Sequence, residues 1–229
     1  MNFQKSTILW GEGNNGKTTF YNMLTIHLGR ENVSHVDPVD FKDTFLVSQM
    51  EGKTANICSE VDTQEELNIT TLKMHVGGEG TFLINKKYEK PYNAIPTAKH
   101  WYGCNDDFMN IPNNANKGFF RKFDLIQCPN NFDGVEDREL EDKVTTQKEF
   151  SGFFNKCIKA LIKLLKDKKF TNHCVALTQW EDVKDFWIER RNPFSQFIKE
   201  MCIKGEYKDA KIDVNNEFWE LKEHVFNFL

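Results

Sequence analysis

The sequence predicts an α/β fold: a mostly parallel sheet with helices on its faces, a β-hairpin insertion, and a helical C-terminal region. Three observations carry that prediction. The apolar run Thr7-Ile8-Leu9-Trp10 leads directly into a glycine-rich loop and then a helical segment at 19–28. Strand and helix signals alternate as far as residue 128, the pattern of strands joined by helical crossovers. Beyond that point amphipathic helical spacing takes over.

In chain order, the first strand meets Gly11-Glu12-Gly13-Asn14-Asn15-Gly16-Lys17-Thr18, a match to G-x-x-x-x-G-K-[ST]. Such a loop wraps a triphosphate in backbone N–H groups at a helix N-terminus. Gly11, Gly13, Asn14, Asn15, Gly16 and Thr19 are the expected phosphate contacts. Lys17 is placed to reach the β- and γ-phosphates, and the Thr18 hydroxyl to ligate Mg²⁺. ATP with Mg²⁺ is therefore the expected ligand.

The remaining elements follow. Residues 32–36 read as a second strand and 41–50 as helical, with Phe41, Phe45, Leu46 and Gln49 on one face. Residues 55–59 form a short strand ending in Glu60, with Asp62 two residues on. A helix is predicted at 65–75, stopped by Gly77-Gly78. Residues 81–95 alternate as a hairpin centred on Asn85-Lys86-Lys87-Tyr88. Strands are predicted at 99–104, ending at Asn105, and at 121–128, opened by Arg121. Helices are predicted at 149–170, 180–191, 194–204 and 214–228. In the first of these Phe153, Phe154, Cys157, Ile158, Leu161, Ile162, Leu164 and Leu165 are the expected buried face. Its lysines allow two readings, a DNA patch or a solvated face. The expected division is a core at 1–135, a helical region at 136–191 and a small segment at 192–229.

Composition bounds the function. In a chain of 229 residues with 28% charged residues and net charge −4, total charge does not imply nonspecific nucleic-acid binding, and any such site must be local. No apolar run approaches a membrane span of ~18 residues. The six cysteines form no C-x-x-C pair or zinc spacing and read as reduced thiols, as expected in a cytoplasm-like compartment. The first strand begins within a few residues of Met1, and the expectation is a piece of a longer protein.

Three further residues have chemistry to offer. A triphosphatase needs an acid at a strand end to polarise water and support Mg²⁺, and Glu60 or Asp62 fits; the alternative is a helix cap or a solvated carboxylate. Asn105 is placed either to sense the γ-phosphate or to form an Asx turn. Arg121, one of five arginines, is placed to neutralise a transferring phosphoryl group, or to make a strand-edge ion pair.

Taken in order, the phosphate loop, Glu60, Leu72-Lys73-Met74-His75-Val76-Gly77-Gly78-Glu79, Pro96-Thr97-Ala98-Lys99, Asn105 and Arg121-Lys122 resemble superfamily 3 helicases of the phage, plasmid and large-DNA-virus primase-helicase group. The resemblance covers residues 6–132. More weakly, Arg191-Asn192-Pro193-Phe194-Ser195-Gln196-Phe197-Ile198 and Phe218-Trp219-Glu220-Leu221 look like the opening of that family's winged-helix region. The resemblance implies an AAA+-like core that assembles as a homo-oligomer, a hexameric ring, on single-stranded DNA, with a covalently linked primase-polymerase domain in the parent chain as an expected partner. It implies that Lys86, Lys87 and Tyr88 of the hairpin grip the strand, and that Arg121 serves a neighbour's nucleotide. A non-hydrolysing replication module and a small-molecule kinase stand as alternatives.

Overall fold

The computed structural model describes residues 3–78, 80–105, 108–112, 114–137, 139–170 and 176–191, and the strands at 202–204, 213–214 and 217–221. The chain divides into a unit at Met1–Lys184 and a unit at Asp185–Leu229.

The first unit is the predicted α/β fold. Its six-stranded sheet has the order β2 (Val33–Ser34), β3 (Ala55–Cys58), β6 (Lys99–Cys104), β1 (Ser6–Trp10), β7 (Phe123–Gln127), β8 (Ala176–Leu177). All neighbours are parallel except β7 and β8. The chain leaves β1 for β2 by passing over β6 and β3, and the clefts of such sheets open at the carboxyl ends of strands where the order reverses. Helix α1 (Lys17–Leu28) follows β1 and buries Tyr21 and Leu24 against Leu9 and Ile57. The Tyr21 hydroxyl donates to Tyr102 O at 2.6 Å, which satisfies a polar group inside the core.

Asn56 lies fully buried in β3 and ties down the edge strand. Its Oδ1 accepts from Ser34 Oγ and Val36 N, both at 2.9 Å, and its Nδ2 donates to Val36 O at 2.8 Å. A polar residue in a core strand is thus accounted for by bonding. Helix α2 (Ile69–Gly77) starts later than its apolar spacing predicts. Asn68 caps it by accepting from Thr70 N and Thr71 N, while Glu66 is drawn into a bridge with Asn110. The predicted hairpin pairs β4 (Phe82–Ile84) with β5 (Tyr92–Ala94). A one-turn helix α3 (Lys117–Phe120) precedes β7, and α4 (Leu140–Val144) precedes α5 (Gln147–Asp167).

Two expectations for the first unit are corrected here. Residues 41–50 form 3₁₀ turns at Pro38–Lys42 and Val47–Met50, because the Asp43 carboxylate accepts from Phe45 N and Leu46 N and diverts the backbone from a helix. Helix α5 has no buried residue: Phe154, Ile158, Leu161, Ile162 and Leu165 are 40–61% exposed. Its start is packed, where Phe150 stacks on His27 at 4.4 Å and Phe153 meets the same ring edge-on at 4.9 Å, and Leu164 further along is half-buried. Apolar spacing reports a one-sided helix and does not report what covers that side. Its lysines are exposed, as on a solvated face. Cys58 and Cys104 are buried free thiols, Cys128 is half-buried, and Cys157 is exposed on α5.

In the second unit, β9 (Cys202–Lys204), β10 (Asp213–Val214) and β11 (Glu217–Leu221) form an antiparallel sheet of order β10-β11-β9. This corrects the helices predicted over 202–204 and within 214–228. Asp213 pairs with Phe218 and Val214 with Glu217, so the backbone at these positions is extended, a pairing that overrides the apolar spacing. Residues 192–201 and 222–229 lie outside the described residues. Helix α6 (Trp180–Arg191) matches its predicted bounds. No described helix is long and apolar enough to cross a membrane.

Candidate nucleotide site

The phosphate loop leaves β1 at Gly11, whose φ of +147° and surroundings both demand glycine. A Cβ there would lie 2.5 Å from Cys128 O, at the end of neighbouring β7. Asn14 (φ 55°) and Gly16 (φ 82°) adopt left-handed conformations that curl the loop. Gly16 is the N-cap of α1 and supplies no side-chain cap, and the first turn has no acidic residue. The helix start is thereby left to an anion.

Lys17 is buried, and its ammonium is held inside the loop. It donates to Gly11 O at 2.7 Å, Asn15 Oδ1 at 3.0 Å and Glu12 O at 3.2 Å. Asn15 Nδ2 in turn donates to Glu12 O and to Cys128 O. Thr18 is exposed and faces the cleft that the loop borders, a cavity of about 560 Å³. Residues 13–19, Ser59, Glu60 and Asn105 line it, with the apolar side chains of Phe132, Val135 and Leu140 and the carboxylates of Glu136 and Asp137.

Glu60 and Asn105 reach the same cleft because their strands are neighbours in register, with Cys58 opposite Tyr102. Asn105 Nδ2 lies 3.4 Å from Glu60 Oε1 as donor to acceptor. Asp62 does not line the cavity. Its carboxylate accepts from Gln64 N at 2.7 Å and Glu65 N at 3.4 Å, and its own N–H donates to Asp37 Oδ2 at 2.9 Å. Of the two acids, Glu60 is the one available to the cleft.

Two contributors escaped the sequence reading. Asp37 accepts from Asp62 N and from Val39 N and so anchors the acidic turn; burial raises its carboxyl pKa. Its signal was the Asp37-Pro38 pair, a cap followed by a helix-starting proline. The segment at 131–137 is latched to the phosphate loop. Phe132 N donates to Asn14 O at 2.8 Å, and Asn14 Nδ2 donates to Asp133 Oδ1. No local motif announced that segment.

Arg121 lies elsewhere. It is the C-cap of α3 and does not open β7, which starts at Phe123. Phe123 pairs with Ser6 and Gln127 with Trp10, so β7 and β1 run side by side toward the phosphate loop. Arg121 is at the opposite end of these strands, about 13 Å of strand away at ~3.3 Å per residue. It is exposed, and among the described residues its side chain bonds Gln4 Oε1, at 3.5 Å. This chain's own cleft is therefore built without it.

The double glycine performs two tasks. Gly78, left-handed at φ 60°, ends α2 and donates to Met74 O and His75 O. Gly77 gives clearance to the buried Lys122, whose Nζ would be 2.7 Å from a Cβ at Gly77. The C-terminal end of a helix favours a cation there.

In the hairpin, Lys86 is tied down. Its Nζ pairs with Glu51 Oε2 at 2.6 Å, and the Tyr92 hydroxyl donates to the same carboxylate. The bond from Lys86 holds the Glu51 carboxyl below its usual range. Lys87 and Tyr88 are exposed at the tip, where Tyr88 is left-handed at φ 67°.

Fold and loop together define a phosphate-loop α/β core. A family model described as a family of unknown function, DUF5906, matches residues 9–122. The apo A form of the NrS-1 C-terminal region is a similar solved structure, with 18% identity and a TM-score of 0.51 over 64% of this chain and 35% of that one. A second apo structure of that region, spanning its residues 305–718, has 17% identity and a TM-score of 0.49. This chain covers about a third of the length of these structures, and the likeness to the first is one of fold. No curated protein matches.

Proposed function

We propose that this chain is the ATP-hydrolysing core of a DNA-replication protein, a superfamily 3 type helicase that moves on single-stranded DNA as a ring oligomer. The observation that carries the reading is the convergence of Lys17, Thr18, Glu60 and Asn105 on one cleft. The sequence resemblance to phage and viral primase-helicases supplies the link to replication, and the likeness to the NrS-1 C-terminal region supports the fold alone.

The residues divide the work. The loop N–H groups and Lys17 bind the β- and γ-phosphates, for which Lys17 exchanges its loop carbonyls. Glu60 accepts a hydrogen bond from the attacking water, and Asn105, bonded to Glu60, orients that carboxylate toward the γ-phosphate. Thr18 and Glu60 are an oxygen donor pair facing one cleft, which suits Mg²⁺; the ion would spread the phosphate charge. Phe132, Val135 and Leu140 offer the nucleoside an apolar wall. Arg121 is directed at the triphosphate of a neighbouring copy. The exposed hairpin tip at Lys87 and Tyr88 contacts the DNA strand, by charge and by stacking.

The test is steady-state ATP hydrolysis over a range of protein concentrations, with and without single-stranded DNA. Specific activity that rises with both supports a ring ATPase with shared sites. A flat, DNA-independent rate overturns the ring-helicase reading.

A further inference from the structure

We propose a second phosphate-binding site at the amino ends of β1 and β7, in which Arg121, Lys168 and Lys169 hold the phosphoryl oxygens of a nucleotide-class polyphosphate. It lies outside the Lys17 cleft. A cavity of about 580 Å³ opens there, of a size suited to a small polyanion. Arg121 enters it from the end of α3, and Lys168 and Lys169 from the end of α5. Phe3 and Phe170 meet edge-to-face at 5.4 Å along its wall.

The charge is unbalanced. Among the described residues the one acid lining the cavity, Asp124, is ion-paired to Lys5 at 2.7 Å, and both are largely buried. Arg121, Lys168 and Lys169 have no carboxylate partner among the described residues. Three cations therefore face one space in a chain whose net charge is −4. Lysines at a helix C-terminus complement its dipole, which accounts for two of them. It does not account for an arginine brought to the same cavity from another element. Nor does it account for Lys168 at φ 55°, a left-handed conformation that glycine ordinarily takes at this position. That turn swings Lys169 and Phe170 onto the cavity beside Arg121. A guanidinium with two ammonium groups suits phosphoryl oxygens, by fork geometry and by point charge.

Two sources offer that chemistry: a free polyphosphate, or a triphosphate seated in the phosphate loop of a second copy, as the proposed function would have it. The probe is inorganic tripolyphosphate, titrated by calorimetry into the full chain carrying Lys17→Ala, which disables the phosphate loop. Binding by the single chain, weakened roughly tenfold by Lys168→Gln with Lys169→Gln, marks a free anion as the ligand. If the Lys17→Ala chain binds none, but ATP drives self-association of the unmodified chain and the double substitution abolishes it, the triphosphate comes from a second copy. Either result supports the site. The proposal is overturned if the double substitution changes neither tripolyphosphate binding nor ATP-driven association. Both lysines are exposed, so folding is not at stake, and Arg121→Gln should reproduce their effect. Failure of ATP hydrolysis at the Lys17 cleft would leave the tripolyphosphate titration readable.

Discussion

Gly103 lies against the backbone of Ser59: a Cβ on Gly103 would sit 2.0 Å from Ser59 O and 2.7 Å from its carbonyl carbon. Val61 N donates to Gly103 O at 3.1 Å across the same contact. The acidic turn thus crosses β6 at a point where only glycine fits, and this brings Glu60 to Asn105. Gly103→Ala is expected to cost about 3 kcal/mol, the upper end for overpacking, because a backbone atom cannot swing aside. ATP hydrolysis should fall with it. Gly152→Ala, in open space on α5, is the control and should not destabilise. Denaturant midpoints and phosphate release on both chains decide the matter.

Lys17→Ala is expected to abolish nucleotide binding. Glu60→Gln should keep binding and slow hydrolysis by about 10²–10⁴-fold, the range for a lost general base. Asp62→Ala removes the acceptor for Gln64 N and should act on stability, by about 1 kcal/mol. Titration with a fluorescent ATP analogue beside a hydrolysis assay separates these effects. Normal hydrolysis by Glu60→Gln would remove it from the chemistry.

At the hairpin, Lys87→Ala should weaken single-stranded DNA binding and reduce the slope of log affinity against log salt by about 0.7. Tyr88→Ala should cost about 1–3 kcal/mol if bases stack on it. Lys86 is paired to Glu51, so Lys86→Ala should act by loosening the hairpin base, and Glu51→Gln should copy it. Anisotropy titrations at several salt concentrations distinguish tip from base. An unchanged slope for Lys87→Ala would exclude a phosphate contact there.

Acid should destabilise the fold through two buried histidines. Burial lowers the pKa of His75 to about 4 and of His100 to about 3. An unfolded histidine titrates near 6.5, so below that pH the unfolded chain binds protons that the folded chain refuses. Stability should drop by up to about 1.4 kcal/mol per pH unit for each histidine, from about pH 6.5 down to the folded values. Asp37 and Asp124, raised by burial, oppose this: their contribution is full in acid and fades as pH rises through the raised values. His75 packs between Phe41 and Phe82, so His75→Phe is a close replacement. Urea unfolding across this range should show a shallower pH dependence for that chain; parallel curves would exclude His75 as a source.

The sheet and the phosphate loop were legible in the sequence because their signals are local. A strand, a glycine-rich turn and a helix in sequence order leave few alternatives around Lys17. Glu60 and Asn105 were legible as strand ends, and the pairing of β3 with β6 makes them neighbours. What was not legible depends on distant contacts. The Asp133 latch on Asn14 spans more than a hundred residues, and the Lys86–Glu51 pair joins a hairpin to a 3₁₀ turn. Arg121 was placed at the start of the last strand, whereas the one-turn helix before Phe123 claims it. The apolar spacing of α5 was right about the helix and silent about its covering.

That exposed stripe gives the chain two salt responses of opposite sign. Lys156, Lys159, Lys163 and Lys166 are interspersed along the same helix as Ile158, Leu161, Ile162 and Leu165. At low ionic strength their mutual repulsion keeps two such helices apart. The screening length shrinks from about 10 Å at 0.1 M to about 3 Å at 1 M, which removes that repulsion and leaves the apolar attraction. Concentrated salt, commonly used to strip nucleic acid from a preparation, would therefore also promote clumping of this chain.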